Sequence, residues 1–209
     1  MIVLASASPR RQELLRGAGI AFEVQPANVD ETPRAGESAK DCAERLAREK
    51  ALAIFRDRPH DWVLGADTVV VVEGAVLGKP VDAGDAARML RMLSGRTHEV
   101  ITGVCLVTPG ARGQRPGAGA GSLHSGFELK TDSETTRVTM CEISNQEIRA
   151  YVASGEPMDK AGAYAIQGLA ARWIPRIEGD YSNVVGLPVA LVLRMLRANG
   201  AARDFGVLA

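Results

Sequence analysis

The chain has 209 residues, of which 46% are hydrophobic and 24% charged, and its 25 basic residues equal its 25 acidic ones in number. This composition excludes a disordered chain and a collagen-like repeat, and a net charge of zero argues against a protein that coats nucleic acid or membrane by bulk charge. It leaves room for a local basic pocket, and the length suits one large domain or two small lobes.

Strand and helix signals alternate along the first half of the chain. Ser8 is a good N-cap because proline follows it at the first helical position, and Ser38 precedes a long amphipathic segment. The predicted elements are, in order, a buried strand at 2–5, a helix from 9 to Gly17 or Gly19, a strand at 22–25, a helix from about 38 to 56, a buried strand at 62–66 that ends in Asp67-Thr68, a hairpin over 69–77 and a helix at 82–94.

Two long alternating segments, residues 97–107 and 127–143, predict a pair of antiparallel strands. Residues 109–125 between them are rich in Gly, Ala, Arg and Pro, so we expect a mobile insertion in a hairpin. The remaining predictions are a helix at 144–153, a loop or short helix at 158–168, a strand at 172–177 and a last helix at 187–198. Mixed βα units and hairpins predict an α/β fold with a mixed sheet and two lobes.

Residues 6–11, where the first strand leads into the first helix, are a candidate anion site. Free amide groups and the positive end of the helix dipole favour an anion there. Arg10 and Arg11 in the first turn oppose that dipole, so helix stability does not explain them, whereas a phosphate bound near Ser6 would. The alternative is a pair of solvated arginines.

Three further charged residues are candidates for a functional site. Asp67, at a predicted strand end, either holds a divalent metal or activates water, or it simply caps a turn. Lys50 falls on the apolar face of its helix, so it either snorkels to solvent or points into a site. Glu31 is either solvated or a second metal or water ligand opposite Asp67.

Two further polar residues lie in constrained segments. Lys79, held between Gly78 and Pro80, is either a point charge for phosphate or a solvated loop residue. Gln167 follows a run of small residues, and its amide either reads the edge of a base or belongs to a turn.

Six segments, in this order, resemble the Maf family of nucleoside triphosphate pyrophosphatases. They are SASPRR (6–11), GADTVV (65–70), GKP (78–80), SGRTHEVITG (94–103), DKAGAYAIQG (159–168) and SNVVGLP (182–188). The resemblance covers nearly the whole chain except 109–125 and the last few residues. It implies an elongated mixed β-sheet with flanking helices and a central cleft, similar to the inosine triphosphate pyrophosphatases, in a single two-lobed domain spanning 1–209.

The resemblance also implies an activity, a cofactor and a set of roles. Members of the family release pyrophosphate from nucleoside triphosphates, with a divalent cation such as Mg²⁺, Mn²⁺ or Co²⁺, and a homodimer is expected. By resemblance, the proton acceptor is Asp67, the metal ligands are Glu31 and Asp67, and the substrate contacts are Ser6, Arg10, Arg11, Lys50, Thr68, Lys79 and Gln167.

The residues of the specificity positions point to one branch of the family. Thr68 after the aspartate, Gln167 in the IQG motif and Arg10 match the branch that acts on dTTP and UTP, including modified pyrimidine nucleotides, in house-cleaning of nucleotide pools. The 7-methyl-GTP branch typically has another residue after the aspartate and an acidic residue in place of the glutamine. A regulatory role in septum formation, with which family members have been associated, is the alternative from another class.

The cellular setting follows from the cysteines and the apolar runs. Cys42, Cys105 and Cys141 fit no zinc-ligand spacing, which favours free thiols in a reducing compartment. The amino terminus does not have the charge order of a signal peptide, and the apolar run at 184–193 is far shorter than the roughly 20 residues that cross a bilayer. We expect a cytoplasmic protein that binds a small nucleotide and neither nucleic acid nor membrane.

Overall fold

The computed structural model describes residues 1–110 and 126–200, and the predicted insertion lies almost entirely outside them. The described strands are β1 (Ile2–Leu4), β2 (Glu23–Val24), β3 (Trp62–Val72), β4 (Ala75–Leu77), β5 (Thr97–Pro109), β6 (Phe127–Thr139) and β7 (Arg176–Glu178). The described helices are α1 (Pro9–Gly17), α2 (Ala39–Asp57), α3 (Ala83–Leu93), α4 (Asn145–Ala153), α5 (Tyr181–Val185) and α6 (Val189–Ala198). Three short 3₁₀ turns, Glu156–Asp159, Ala161–Ala163 and Leu169–Trp173, lie between α4 and β7.

The strands form one mixed sheet in the order β2-β1-β3-β5-β6-β7, with β4 paired to the far end of β3. β1 pairs in parallel with β2 and β3, because helical crossovers connect them, and the remaining pairs are antiparallel, as hairpins require. The mixed α/β fold is confirmed. Antiparallel β5 and β6 continue to Pro109 and Phe127, where the amide of Gly110 donates to the carbonyl of Gly126 at 2.8 Å.

Helix α2 lies unusually close to the sheet because glycines face it. A Cβ on Gly65 in β3 would stand 2.2 Å from the carbonyl oxygen of Ala47, and one on Gly103 in β5 would stand 2.4 Å from the backbone of Ala43. A side chain at either position would push the helix away. The close approach brings Lys50 of α2 to the surface of β3.

Apolar side chains pack in separate clusters around the sheet. One cluster gathers β1, α1 and α6, and includes Leu4, Leu15 and Leu191. A second joins the far halves of β3 and β5 to α3, α4 and the 3₁₀ turns, and includes Leu90 and Tyr151. The division into two lobes stays a prediction. Among the described residues, no helix combines the length and apolar character needed to cross a bilayer.

Several predicted strand boundaries are wrong. The strand expected to end at Asp67-Thr68 continues to Val72, and β5 pairs with it from Val63 to Val71 without a break. Asp67 therefore lies in the middle of a strand, where a turn-forming residue is not expected from sequence. In the strand expected at 172–177, Arg172 and Trp173 instead end the turn Leu169–Trp173, and the paired strand is only Arg176–Glu178.

Candidate active site

A cleft with a volume of about 740 Å³ opens beside the carboxyl end of β1. β1 ends at Leu4, opposite Leu64, while its parallel neighbour β3 continues to Val72. The part of β3 after Leu64 therefore forms the floor of the cleft. All of the predicted site residues line it: Ser6, Arg10, Arg11, Glu31, Lys50, Asp67, Thr68, Lys79 and Gln167. The structure thus brings them together, while their individual roles stay predictions.

Arg11 is a buried, fully oriented cation in the floor of the cleft. Its Nε donates to the carbonyl of Gly186 at 2.7 Å, and its Nη1 donates to the Ser6 hydroxyl at 3.1 Å and to the Ala66 carbonyl at 2.8 Å. Burial lowers the pKa of Arg11, against the opposing negative charges of the cleft. The alternative of a solvated arginine is excluded, because only 9% of Arg11 is exposed.

The Thr68 hydroxyl completes the anchoring of Arg11. It accepts from Arg11 Nη2 at 3.0 Å and shares a hydrogen bond of 2.9 Å with the hydroxyl of Thr102, which in turn donates to the carbonyl of Asn183. Thr68 therefore helps to orient the guanidinium group of Arg11. A direct contact between Thr68 and a base stays a prediction.

Lys50 links the two candidate carboxylates. Its Nζ lies 2.6 Å from Asp67 Oδ1 and 2.5 Å from Glu31 Oε1, and only 9% of its side chain is exposed. The snorkelling alternative is excluded, because the ammonium group is buried at the cleft floor. Lys79 Nζ approaches Glu31 Oε2 at 3.4 Å from the opposite side. Burial alone would raise the pKa of Glu31, but the hydrogen bond and charge of Lys50, together with Lys79, outweigh it and hold that pKa below its usual value.

The loop that carries Glu31 is tied to α2 by Arg45. The Arg45 guanidinium binds both carboxylate oxygens of Glu37, at 2.6 and 2.8 Å, and donates to the carbonyl of Thr32 at 3.2 Å. The hydrogen bond from Arg45 holds the pKa of Glu37 down to about 2. Glu31 lies one residue before Thr32, so its position depends on this ion pair. Sequence reasoning missed Arg45, because three of its neighbours on the helix surface, at positions 41, 48 and 49, are charged and the helical period therefore predicts a solvated side chain.

The donor set of the cleft suits a cation that arrives with its substrate. Among the described residues, no group of three or more His, Cys, Asp or Glu side chains is arranged to hold a metal ion. Mg²⁺ in nucleotide sites usually takes one or two carboxylates and completes its shell with phosphate oxygens and water. Glu31 and Asp67, which face the same ammonium group, fit that pattern.

An ion pair joins two residues that line the cleft. Arg10 Nη1 lies 3.2 Å from Asp159 Oδ2, and Asp159 also pairs with Lys160. Burial would raise the pKa of Asp159, but Lys160 and Arg10 outweigh it and lower that pKa. Because Arg10 already binds one anionic group, a phosphate that replaced Asp159 would meet a prearranged donor. Asp159 and Lys160, the first residues of DKAGAYAIQG, were not singled out from sequence.

Gln167 lines the cleft beside apolar side chains. Its side chain is exposed, and its amide has no hydrogen-bond partner among the described residues. Val76, Tyr164 and Ile166 supply apolar lining nearby. The lining of the cleft thus combines the cations of α1 with apolar side chains and one free amide, an arrangement that suits a phosphorylated aromatic ring.

Comparison with known proteins agrees with this geometry. A family model described as "Maf-like protein" matches residues 1–199. A protein of Koribacter versatilis named dTTP/UTP pyrophosphatase is 55% identical over 199 residues, covering 95% of this chain and 94% of the relative. Relatives with the same name from Geobacter sulfurreducens and Geotalea uraniireducens are each 50% identical over 200 residues, covering 96% of this chain and 97% and 95% of their own lengths.

Proposed function

The chain belongs to the Maf family, and we propose on that premise that it hydrolyses dTTP and UTP to the nucleoside monophosphate and pyrophosphate. The observation that carries the proposal is the buried Lys50 ammonium held between Asp67 and Glu31, inside a cleft that Gln167 also lines. The names of the relatives support the choice of dTTP and UTP over 7-methyl-GTP.

The cationic side chains that line the cleft suit a triphosphate. A nucleoside triphosphate carries about four negative charges, which repel an attacking oxygen unless they are neutralised. Arg10 and Lys79 face the cleft with donors that the ion pairs to Asp159 and Glu31 can release. Arg11 stays in place below them, and the amino terminus of α1 adds its dipole.

Asp67 is the proposed proton acceptor. Its carboxylate is fixed by the hydrogen bond from Lys50 and by strand β3, and it lines the cleft. It removes the proton from a water molecule that attacks the α-phosphorus, and pyrophosphate leaves toward Arg10 and Arg11. A bound divalent cation, held by Glu31 and Asp67, would supply further neutralisation of phosphate charge.

The remaining expectations are part of the same proposal. We place the protein in the cytoplasm, where nucleotides are pooled, and its free, mostly buried cysteines are compatible with that compartment. We expect modified pyrimidine nucleotides among its substrates, a homodimer in solution, and no binding of nucleic acid or membrane. Light scattering tests the homodimer, and titration with a DNA duplex at two salt concentrations tests the binding of nucleic acid.

The decisive experiment measures which products form and which of them carries the oxygen atom of the attacking water. The purified protein is incubated in ¹⁸O-labelled water with dTTP, UTP, CTP, ATP, GTP or 7-methyl-GTP, with Mg²⁺, Mn²⁺, Co²⁺ or a chelator. We expect equal amounts of monophosphate and pyrophosphate, with the label in the monophosphate, and the fastest turnover on dTTP and UTP. Release of orthophosphate, label in pyrophosphate, or a preference for 7-methyl-GTP would overturn the proposal.

A further inference from the structure

The segment 165–169 carries Gln167 and is held at both of its ends by one pair of side chains. The backbone amide of Ala165 donates to the hydroxyl of Tyr151 at 3.1 Å. The same hydroxyl donates to Glu156 Oε1 at 2.8 Å, and Glu156 Oε2 accepts from the backbone amide of Leu169 at 3.1 Å. These three hydrogen bonds form a continuous bracket across the segment.

Gly168 makes room for this bracket. A Cβ at this position would stand 2.3 Å from Glu156 Oε1 and 2.5 Å from Oε2. The backbone of Gly168 has a φ of −108°, which any residue can adopt, so the absence of a side chain is what the position requires. Gly168 therefore leaves the space that the Glu156 carboxylate needs to accept the hydrogen bond from Leu169.

The bracket is anchored in the core. Tyr151 is 2% exposed on α4, and its ring packs edge-on against Trp173, with centroids 5.3 Å apart at 89°. Trp173 Nε1 donates to Glu147, which also closes the capping box of α4 with Ser144. Burial, and then the hydrogen bond to Glu156, raises the pKa of Tyr151, so its hydroxyl keeps the proton that it donates.

We propose that Tyr151 and Glu156 are positioning residues that set nucleotide-base preference by fixing the backbone of residues 165–169 and so the direction of the Gln167 amide. Neither side chain lines the cleft, so each acts through the segment that it holds. Hydrogen bonds weaken steeply as their angle departs from linear. An amide therefore distinguishes one base from another only when its direction is fixed. The inference rests on the proposed function, since it concerns which base that site accepts.

Steady-state kinetics on dTTP and GTP test the inference in four variants. Tyr151→Phe and Glu156→Ala break the bracket, Glu156→Gln keeps an acceptor for Leu169 and a partner for Tyr151, and Tyr181→Phe removes an exposed hydroxyl elsewhere as a matched control. We expect the dTTP-to-GTP ratio of kcat/KM to fall about 10-fold in the first two, mainly through KM for dTTP, because one or two hydrogen bonds are lost. Glu156→Gln and Tyr181→Phe should stay within about twofold of the wild type.

Amide hydrogen exchange of the free protein supplies a readout that does not depend on activity. Exchange at residues 165–169 should be about 10-fold faster in Tyr151→Phe and Glu156→Ala than in the wild type. An unchanged dTTP-to-GTP ratio in both folded variants, or unchanged exchange, would overturn the inference. If the wild type hydrolyses no nucleotide, the proposed function fails, and exchange at 165–169 alone decides whether the bracket holds the segment.

Discussion

Replacing Asp67 with asparagine separates its chemistry from its structural role. Asparagine has nearly the same shape as aspartate, so it fits the same place in β3, but it cannot accept a proton from water. The Lys50 ammonium is not left without a partner, because Glu31 Oε1 lies 2.5 Å from it. The buried positive charge therefore stays paired, and we expect the fold to survive.

The magnitude of the kinetic effect follows from the role of a general base. Loss of a positioned general base costs about 10²–10⁴ in kcat, which corresponds to about 3–5 kcal/mol of transition-state stabilisation. With a chelator present, so that the loss of a proposed metal ligand does not enter, nucleotide affinity should not fall, because removing the negative charge of Asp67 leaves the cleft more positive toward the triphosphate. A large loss of kcat with equal or tighter binding is thus the expected signature.

The assay combines single-turnover pyrophosphate release from dTTP with equilibrium binding of a non-hydrolysable dTTP analogue. Asp132→Asn, which neutralises an exposed carboxylate on β6, is the matched control and should keep wild-type turnover. If Asp67→Asn bound the analogue and still turned over within about tenfold of the wild type, another group would have to accept the proton.

Three further predictions address specificity, stability and the hairpin. Gln167→Glu should lower the dTTP-to-GTP ratio of kcat/KM by about 10-fold while pyrophosphate release persists, and an unchanged ratio would show that Gln167 does not read the base. Burial holds the pKa of His98 down to about 4 from 6.5, so the unfolded chain takes up the proton first. The free energy of unfolding should then fall by on the order of 3 kcal/mol as pH drops from about 6.5 to 4, and urea titrations should show a flatter dependence in His98→Gln. Replacing residues 111–125 with Asn-Gly should leave kcat/KM within about twofold, because Pro109 lies about 20 Å along β5 from Gly103, which pairs with Asp67, and a collapse in activity would contradict this.

Features that depend on neighbours in the chain were predictable. Ser8, Ser38 and Ser144 each cap the helix that their position indicated, because an N-cap is made by residues three apart. The placement of Lys50 on an inward helix face also followed from the helical period alone. The long β5 and β6 segments were visible as alternating patterns, although β6 ends at Thr139 rather than at residue 143.

The environment of Asp67 was not predictable in the same way. An aspartate after an apolar run indicates a turn, since a buried, unpaired carboxylate would destabilise a strand. The strand continues because Lys50, seventeen positions earlier in the chain, neutralises that carboxylate from α2. No local pattern encodes this pairing.

The sequence by itself determined the composition of the site: the cations, the carboxylates, the glycines and the order of the motifs that carry them. Only the tertiary structure decided how they are used. It buries Arg11 against Gly186, sets Asp159 opposite Arg10 and places Tyr151 and Glu156 behind Gln167. The physical reason is that close packing, through Gly65 and Gly103 above all, brings charges from distant parts of the chain into contact, where the role of each one depends on its partners.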